Sequence, residues 1–438
     1  MRGQIAVIGA GWAGCAAAVE LAAHGRQVTL FDAARVPGGR ARKVTLNGNT
    51  VDNGQHILLG AYAETLRMMK LVGIDQETAL LRLPLQMRYP NKTGMDFVAA
   101  KLTAPLHLLA GVLRASGLSI AEKLALAGFS ISARQISWTL DHDCSVTELL
   151  HRFRQPERLT QLMWRPLCLA ALNTPPSEAS AQVFLNVLKD SLGARRASSE
   201  MLLPRLDLSA LFPQQAIDYV IARSGHAHFG TRIGSLQQRP GGWSLQTNGG
   251  AIVTPEFDQV VIASDLHNAA ALLVPLTENV IMPGASYQPI TTCYLQYDDD
   301  CRLDAAFYAL ADEPLIGYWG QFVFDRGQLD AAQRGLLAVV VSASSQAVLK
   351  DHDTLCAAIG IQLADVFARP EFANPLWTKI VSEKRATFSC TPGLNRPDNR
   401  TAVDNIVLAG DYTASRYPAT LEAAVRSGVA AAQLLMAG

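Results

Sequence analysis

Charge is scarce in this 438-residue chain and leans to neither sign: 17% of the residues are charged, with 38 Lys and Arg against 38 Asp and Glu. The balance removes the electrostatic reason to expect nucleic acid as a partner. Long apolar runs are missing as well. The nearest, Val98 to Leu113, is broken by Lys101, Pro105 and His107, well short of the roughly 18 uninterrupted residues that a bilayer span needs. The seven cysteines are scattered and odd in number, with no C-x-x-C pair, which suits reduced thiols in a cytoplasm. Zinc-ligand spacing, internal repeats and low-complexity tails are absent too, so no metal is expected. What remains is an apolar surplus, 49% hydrophobic residues. It needs a home in a large greasy cavity, a membrane-facing patch or a partner surface. The length points to two domains or one elaborated domain.

The residues from Gln4 to Asp32 organise the rest. Ile5 to Ile8 is a short β-branched run of the kind that makes a buried parallel strand. It runs into Gly9-Ala-Gly-Trp-Ala-Gly14 and a small-residue helix, Cys15 to His24, closed by Gly25. Gln27 to Phe31 reads as a second strand ending in Asp32. This is a β-α-β unit carrying G-x-G-x-x-G at its first turn. Gly9 permits the turn, Gly11 lets backbone approach a pyrophosphate, and Gly14 allows close helix–strand packing. The helix N-terminus, at Ala13, offers free N–H groups to phosphate, and Asp32 is placed to accept ribose hydroxyls. A nucleotide-binding turn explains Asp32, which a glycine-rich turn of another α/β domain would not.

Directly afterwards comes Pro37-Gly-Gly-Arg40. A nicotinamide domain has no use for a second glycine pair with an arginine here. A flavin domain does, since the turn at Gly39 passes the dinucleotide and Arg40 can neutralise pyrophosphate charge. Val51-Asp-Asn-Gly-Gln-His56 presents another tight passage, with Gly54, Gln55 and His56 able to lie near a ring system. For His56 a structural, hydrogen-bonded role and a proton-transfer role both stand.

Together with Asn405 to Asp411 and Thr420 to Gly428, this set resembles the FAD-dependent amine oxidase and phytoene desaturase superfamily. The resemblance implies an α/β architecture: a discontinuous Rossmann-like FAD-binding domain with a mixed-sheet and helical substrate domain. It further implies that Gly410 and Asp411 lie by the flavin phosphates and ribityl chain, that Thr420 and Leu421 point at the flavin ring, and that Ile233 touches the adenine side. One departure is visible, Ala423 in place of the usual glycine. The expected segments are 1–80, 201–275 and 386–438 for the FAD domain, with 81–200 a helical substrate or lid region and 276–385 a substrate sheet beginning near Met282.

Between the flavin motifs, Asn91 to Ile136 reads as Leu- and Ala-rich helices: either a wall for a long lipid that dips into a membrane surface, or an ordinary buried layer. Ser145 to Glu148 has capping-box spacing. Arg165, within Trp164-Arg165-Pro166, is a site residue or a packing anchor. Arg195-Arg196 is a basic contact or a solvated pair, and Asp298 to Asp300 a solvated turn.

Three longer stretches, Asp52 to Tyr62, Pro166 to Pro176 and Leu203 to Phe212, are similar to the hydroxysqualene dehydroxylase family, also called squalene-associated FAD-dependent desaturases. That likeness implies reductive removal of an allylic hydroxyl from hydroxysqualene to give squalene for hopanoid synthesis. That reaction needs one general acid, for which His56 is the candidate because its motif passes near the flavin; squalene-pathway synthases are expected neighbours, in the cytoplasm or peripherally on the inner face of the membrane. No aromatic residue stands at Ala419-Thr420, where amine oxidases place one. A carotenoid-type desaturase or amine oxidase is the alternative, and a non-catalytic isoprenoid carrier a further one.

Overall fold

The computed structural model describes residues 3–92, 94–193, 195–277 and 286–437; Met282, the expected start of the substrate sheet, lies outside them. Five parallel strands form the first sheet, in the order His226–Phe229, Gln27–Asp32, Gln4–Ile8, Gln259–Ile262 and Ile406–Leu408. Side chains alternate along each strand. Ile5, Val7, Val28 and Leu30 share a core with the helices Trp12–Ala23 and Leu421–Ala437. Ala6, Ile8 and Phe31 face the opposite way and pack with Trp243, Leu245 and Phe257 of an antiparallel three-strand meander, Ile233–Arg239, Gly242–Thr247 and Ile252–Phe257. The sheet is therefore covered on both faces, which is why its central strands, Gln4–Ile8 and Gln259–Ile262, read as largely apolar runs. Helix Trp12–Ala23 begins three residues earlier than the apolar pattern suggests, because the glycine turn itself supplies its first residues.

The second sheet also has five strands, in the order Phe307–Ala309, Phe322–Asp325, Leu336–Val341, Tyr287–Gln296 and Trp377–Phe388. Its pairing is antiparallel throughout rather than mixed. Leu336–Val341 and Trp377–Phe388 run in the same direction on either side of Tyr287–Gln296, and helix His352–Phe367 makes the crossover between them. On one face Cys293, Leu295 and Val339 pack against Leu355, Ile359 and Leu363 of helix His352–Phe367. On the other, Tyr294, Ala338 and Phe324 join the core shared with the helical region.

That region is built from helices Leu106–Arg114, Ile120–Gln135, Val146–Arg152, Arg165–Leu172 and Ala181–Leu192. Ser145 caps its helix by accepting the Glu148 N–H. The reciprocal two-way capping box forms instead at Ser119 and Glu122. A single π turn, Thr160–Trp164, leads into the helix that starts at Arg165, and Arg165 is anchored by a two-pronged ion pair with Asp312. Asp298 to Asp300 are exposed, as a solvated turn requires. No helix among the described residues is long and apolar enough to cross a membrane.

Candidate functional site

At the first turn Gly9 has φ +113°, and a Cβ there would stand 2.5 Å from the Ala263 carbonyl oxygen. Gly14 is still tighter, its missing side chain occupied by the Gly9 carbonyl. Gly11 differs: the atom nearest to a Cβ there is Gly39 Cα, 3.9 Å away. Gly11 is also the N-cap of helix Trp12–Ala23, with no side chain capping it. The first N–H groups of that helix thus face space rather than protein. Asp32 accepts the Ala10 N–H at 2.6 Å on one oxygen and the Ala34 N–H at 2.7 Å on the other, which fixes the carboxylate and leaves each oxygen a lone pair. Ile233 is buried at the start of the meander, just past Thr231, whose N–H binds the Asp32 carbonyl.

Arg40 and Asp411 come from opposite ends of the sequence and meet in a 2.6 Å ion pair. A second Arg40 nitrogen binds the Ala386 carbonyl. The charge that the sequence assigns to pyrophosphate is thus already balanced within the protein. The pair lines a cleft with Tyr287, Glu383, Phe388 and Tyr412. The Tyr412 hydroxyl is buried with no protein partner. Gly410 precedes it, its N–H held by Ser427 Oγ of the last helix at 2.9 Å. Thr420 Oγ1 accepts the Ala423 N–H at 3.2 Å and so caps that helix just before Leu421. Ala423 is buried. Glu422, next to it, is 1% exposed and accepts from Glu64 N–H, Thr65 N–H and Thr65 Oγ1.

The turn from Asp52 to His56 is held by the second sheet and by segments that flank the first. The Tyr294 hydroxyl donates to the Asp52 carbonyl at 2.6 Å and accepts from Gln55 Nε2 at 2.8 Å. The Gln55 side-chain oxygen Oε1 accepts from Arg326, itself buried. Asn53 donates to the Arg40 carbonyl. The Asp52 carboxylate takes the Leu208 N–H at 2.8 Å, and burial raises it to about 6 against the opposing pull of Arg326. Gly54 has φ +100°, and its open side looks at the Thr292 hydroxyl, which is buried and unpartnered. His56 donates from Nδ1 to the Gly54 carbonyl at 3.2 Å, so the neutral ring presents Nε2 as an acceptor. Burial lowers its pKa, and the nearby Arg40 charge lowers it further against the Gly54 hydrogen bond.

Thr292, Tyr294, Arg326 and Tyr412 were not singled out by sequence reasoning. A threonine or tyrosine in a strand carries no local signal, and only tertiary pairing turns these residues toward the turn. Two of the three longer stretches meet, the Leu208 N–H on the Asp52 carboxylate, while the Pro166–Pro176 stretch turns to the second sheet. Ser209 Oγ binds the Pro37 carbonyl at 2.7 Å, and Asn173 joins Thr387, Gln288 and Ala343 of the second sheet's surroundings.

A family model described as Flavin containing amine oxidoreductase matches residues 12–436. The chain belongs to that family. A hydroxysqualene dehydroxylase of Rhodopseudomonas palustris is 31% identical, over 100% of this chain and 99% of its own. A 15-cis-phytoene desaturase of Synechococcus elongatus is 24% identical, over 99% and 96%. Among solved structures, a putative protoporphyrinogen oxidase from Exiguobacterium sp. superposes with a TM-score of 0.73 at 16% identity, covering 100% of both chains, and supports the fold. The chain is an FAD-dependent oxidoreductase. The residues present fit that cofactor: an uncapped helix N-terminus beside two glycine turns suits a diphosphate, and the buried, unpartnered Tyr412 hydroxyl marks a cleft wall built for a polar ligand.

Proposed function

We propose that this family member reductively removes the allylic hydroxyl of hydroxysqualene, giving squalene and water. The observation that carries the reading is the full-length, 31% likeness to a hydroxysqualene dehydroxylase. In this reading Gly9, Gly11, Ala13, Gly14 and Gly39 give backbone to the diphosphate, Asp32 holds the adenosine ribose and Ile233 packs by the adenine. Arg40, with its partner Asp411, and Gly410 flank the diphosphate and ribityl chain. Gly54, Gln55, Thr420 and Leu421 border the ring. FAD, when bound and reduced, supplies a hydride.

The chain's own residues supply the rest. His56 protonates the leaving hydroxyl from Nε2, which requires the ring to be doubly protonated at that moment. Its lowered pKa makes it a strong acid once charged. The surrounding apolar core excludes water that would otherwise recapture an allylic cation. The balance is one alcohol, one proton and one hydride in, one hydrocarbon and one water out. The five-segment division of the chain belongs to the same proposal, as do delivery by squalene-pathway synthases and residence at the inner face of a membrane.

The likeness to phytoene desaturase favours a second reading, polyene desaturation. An anaerobic single turnover separates the two. Chemically reduced enzyme mixed with hydroxysqualene is expected to reoxidise its flavin while squalene forms in matching amount. Flavin that stays reduced beside intact hydroxysqualene would sink dehydroxylation.

A further inference from the structure

Two neighbouring helices are apolar on the side where water would be. On Leu106–Arg114, Leu106, Leu109 and Leu113 are 52%, 49% and 65% exposed. Their spacing puts them on one face. On Ile120–Gln135, Ile120, Leu124 and Ile131 are 78%, 67% and 58% exposed. The opposite faces are already committed: a Cβ on Gly111 would press on the Phe97 ring at 2.9 Å, and Leu126, Phe129 and Ala133 are core. Single exposed leucines are ordinary, but six on adjacent helices form a continuous patch that calls for a partner.

The charge around the patch is mostly basic. Between positions 101 and 135 the chain carries Lys101, Arg114, Lys123 and Arg134 against a single acid, Glu122, and Glu122 is neutralised by Arg158. Arg195 and Arg196 join from a second segment, where Arg196 shares its charge with Glu200 at 3.5 Å and remains half exposed. With Lys101 they line a surface cavity of about 590 Å³ that also includes Leu102. The cavity is coupled to the candidate site through the chain. Ser199 Oγ sits 3.3 Å from His107 Nε2 of the first helix, and the Glu200 carbonyl accepts the Gly60 N–H at 2.9 Å, four residues beyond His56.

We propose that this face docks on an anionic bilayer, with the leucines entering the interface and Lys101, Arg195 and Arg196 meeting lipid phosphates. An apolar stripe flanked by basic residues is the pattern of an interfacial helix. The inference deepens the reading of a membrane-derived isoprenoid substrate and rests on it, naming the surface by which such a substrate is met.

Flotation of the FAD-loaded full chain with vesicles tests it, using phosphatidylcholine alone or phosphatidylcholine with about one-third phosphatidylglycerol. The expected result is binding to the anionic vesicles that is at least about ten-fold tighter and weakens in high salt, each basic residue near the surface counting about 1 kcal/mol. Leu109→Asp with Leu113→Asp is expected to lose flotation while keeping bound flavin and turnover of detergent-dispersed hydroxysqualene. Lys101→Glu with Arg195→Glu should remove the preference for anionic lipid. Wild type that ignores both vesicles, or an aspartate pair that floats like wild type, overturns the proposal. So does a dimer that the aspartate pair dissociates without lipid, which would make the patch an interface between copies. Flotation without any turnover in detergent would instead overturn the functional reading and leave docking standing.

Discussion

His56 and Asp52 sit four residues apart in one turn and are perturbed in opposite directions by the same burial. For His56 burial favours the neutral ring. If it is the general acid, only the protonated fraction works. The dehydroxylation rate should then be highest on the acid side and fall about ten-fold per pH unit above a pKa that lies below the ordinary histidine value. His56→Gln is expected to abolish that limb and lower kcat about 10²–10⁴-fold. A variant that retains the limb assigns the acid to another group. For Asp52 burial favours the neutral carboxyl, raised to about 6. Below about pH 4 it is protonated in folded and unfolded chains alike and contributes nothing. As pH rises toward 6 the unfolded chain gives up its proton while the folded one keeps it, so stability falls, by roughly 2–3 kcal/mol at most, and levels off above. Asp52→Asn keeps an acceptor for the Leu208 N–H. It should match the parent at pH 4 and exceed it in denaturant midpoint at pH 8.

At the scale of elements, the packing of the last helix on the first decides whether the phosphate turn is rigid. Gly428 has no room for a side chain, because a Cβ would overlap the Ala13 carbonyl. Gly428→Ala should force the helices apart and destabilise the protein by about 2–4 kcal/mol. Because Ala13 belongs to the glycine turn, FAD affinity should fall with it, measurable by flavin titration against thermal melts. The glycine turn was legible in the sequence because its chemistry is local: a positive φ and a close approach demand glycine wherever the turn falls. The strand at Ile5 to Ile8 was legible for a related reason, since a strand covered on both faces announces itself by composition. The Arg40–Asp411 pair was not, because nothing in either segment says that a partner 371 residues away will consume the charge. The antiparallel second sheet was not legible either, as apolar strands carry no sign of direction. Ser145 and Ser119 show the remaining gap. Both have the S-x-x-E spacing, yet only Ser119 closes the box in both directions.

For the whole molecule, the Asp52–His56 turn links the second sheet to segments beside the first: Tyr294 and Arg326 pin it from one side, and Leu208 and Arg40, neither in a sheet strand, from the other. Cofactor binding should therefore stabilise both together. With FAD at about 100 times its dissociation constant the expected gain is about 2.7 kcal/mol, seen as one melting transition that moves upward intact. Two transitions, only one of them FAD-dependent, would show that the sheets unfold independently. The first sheet has a further consequence, in time rather than space. Its fifth strand, Ile406–Leu408, and the helix that seals the glycine turn, Leu421–Ala437, are synthesised long after the first β-α-β unit. At about 5–20 residues per second, a ribosome exposes the flavin-binding glycines for tens of seconds before the strand and helix that complete their sheet exist. Cofactor capture is in consequence a late event, after translation has passed most of the chain.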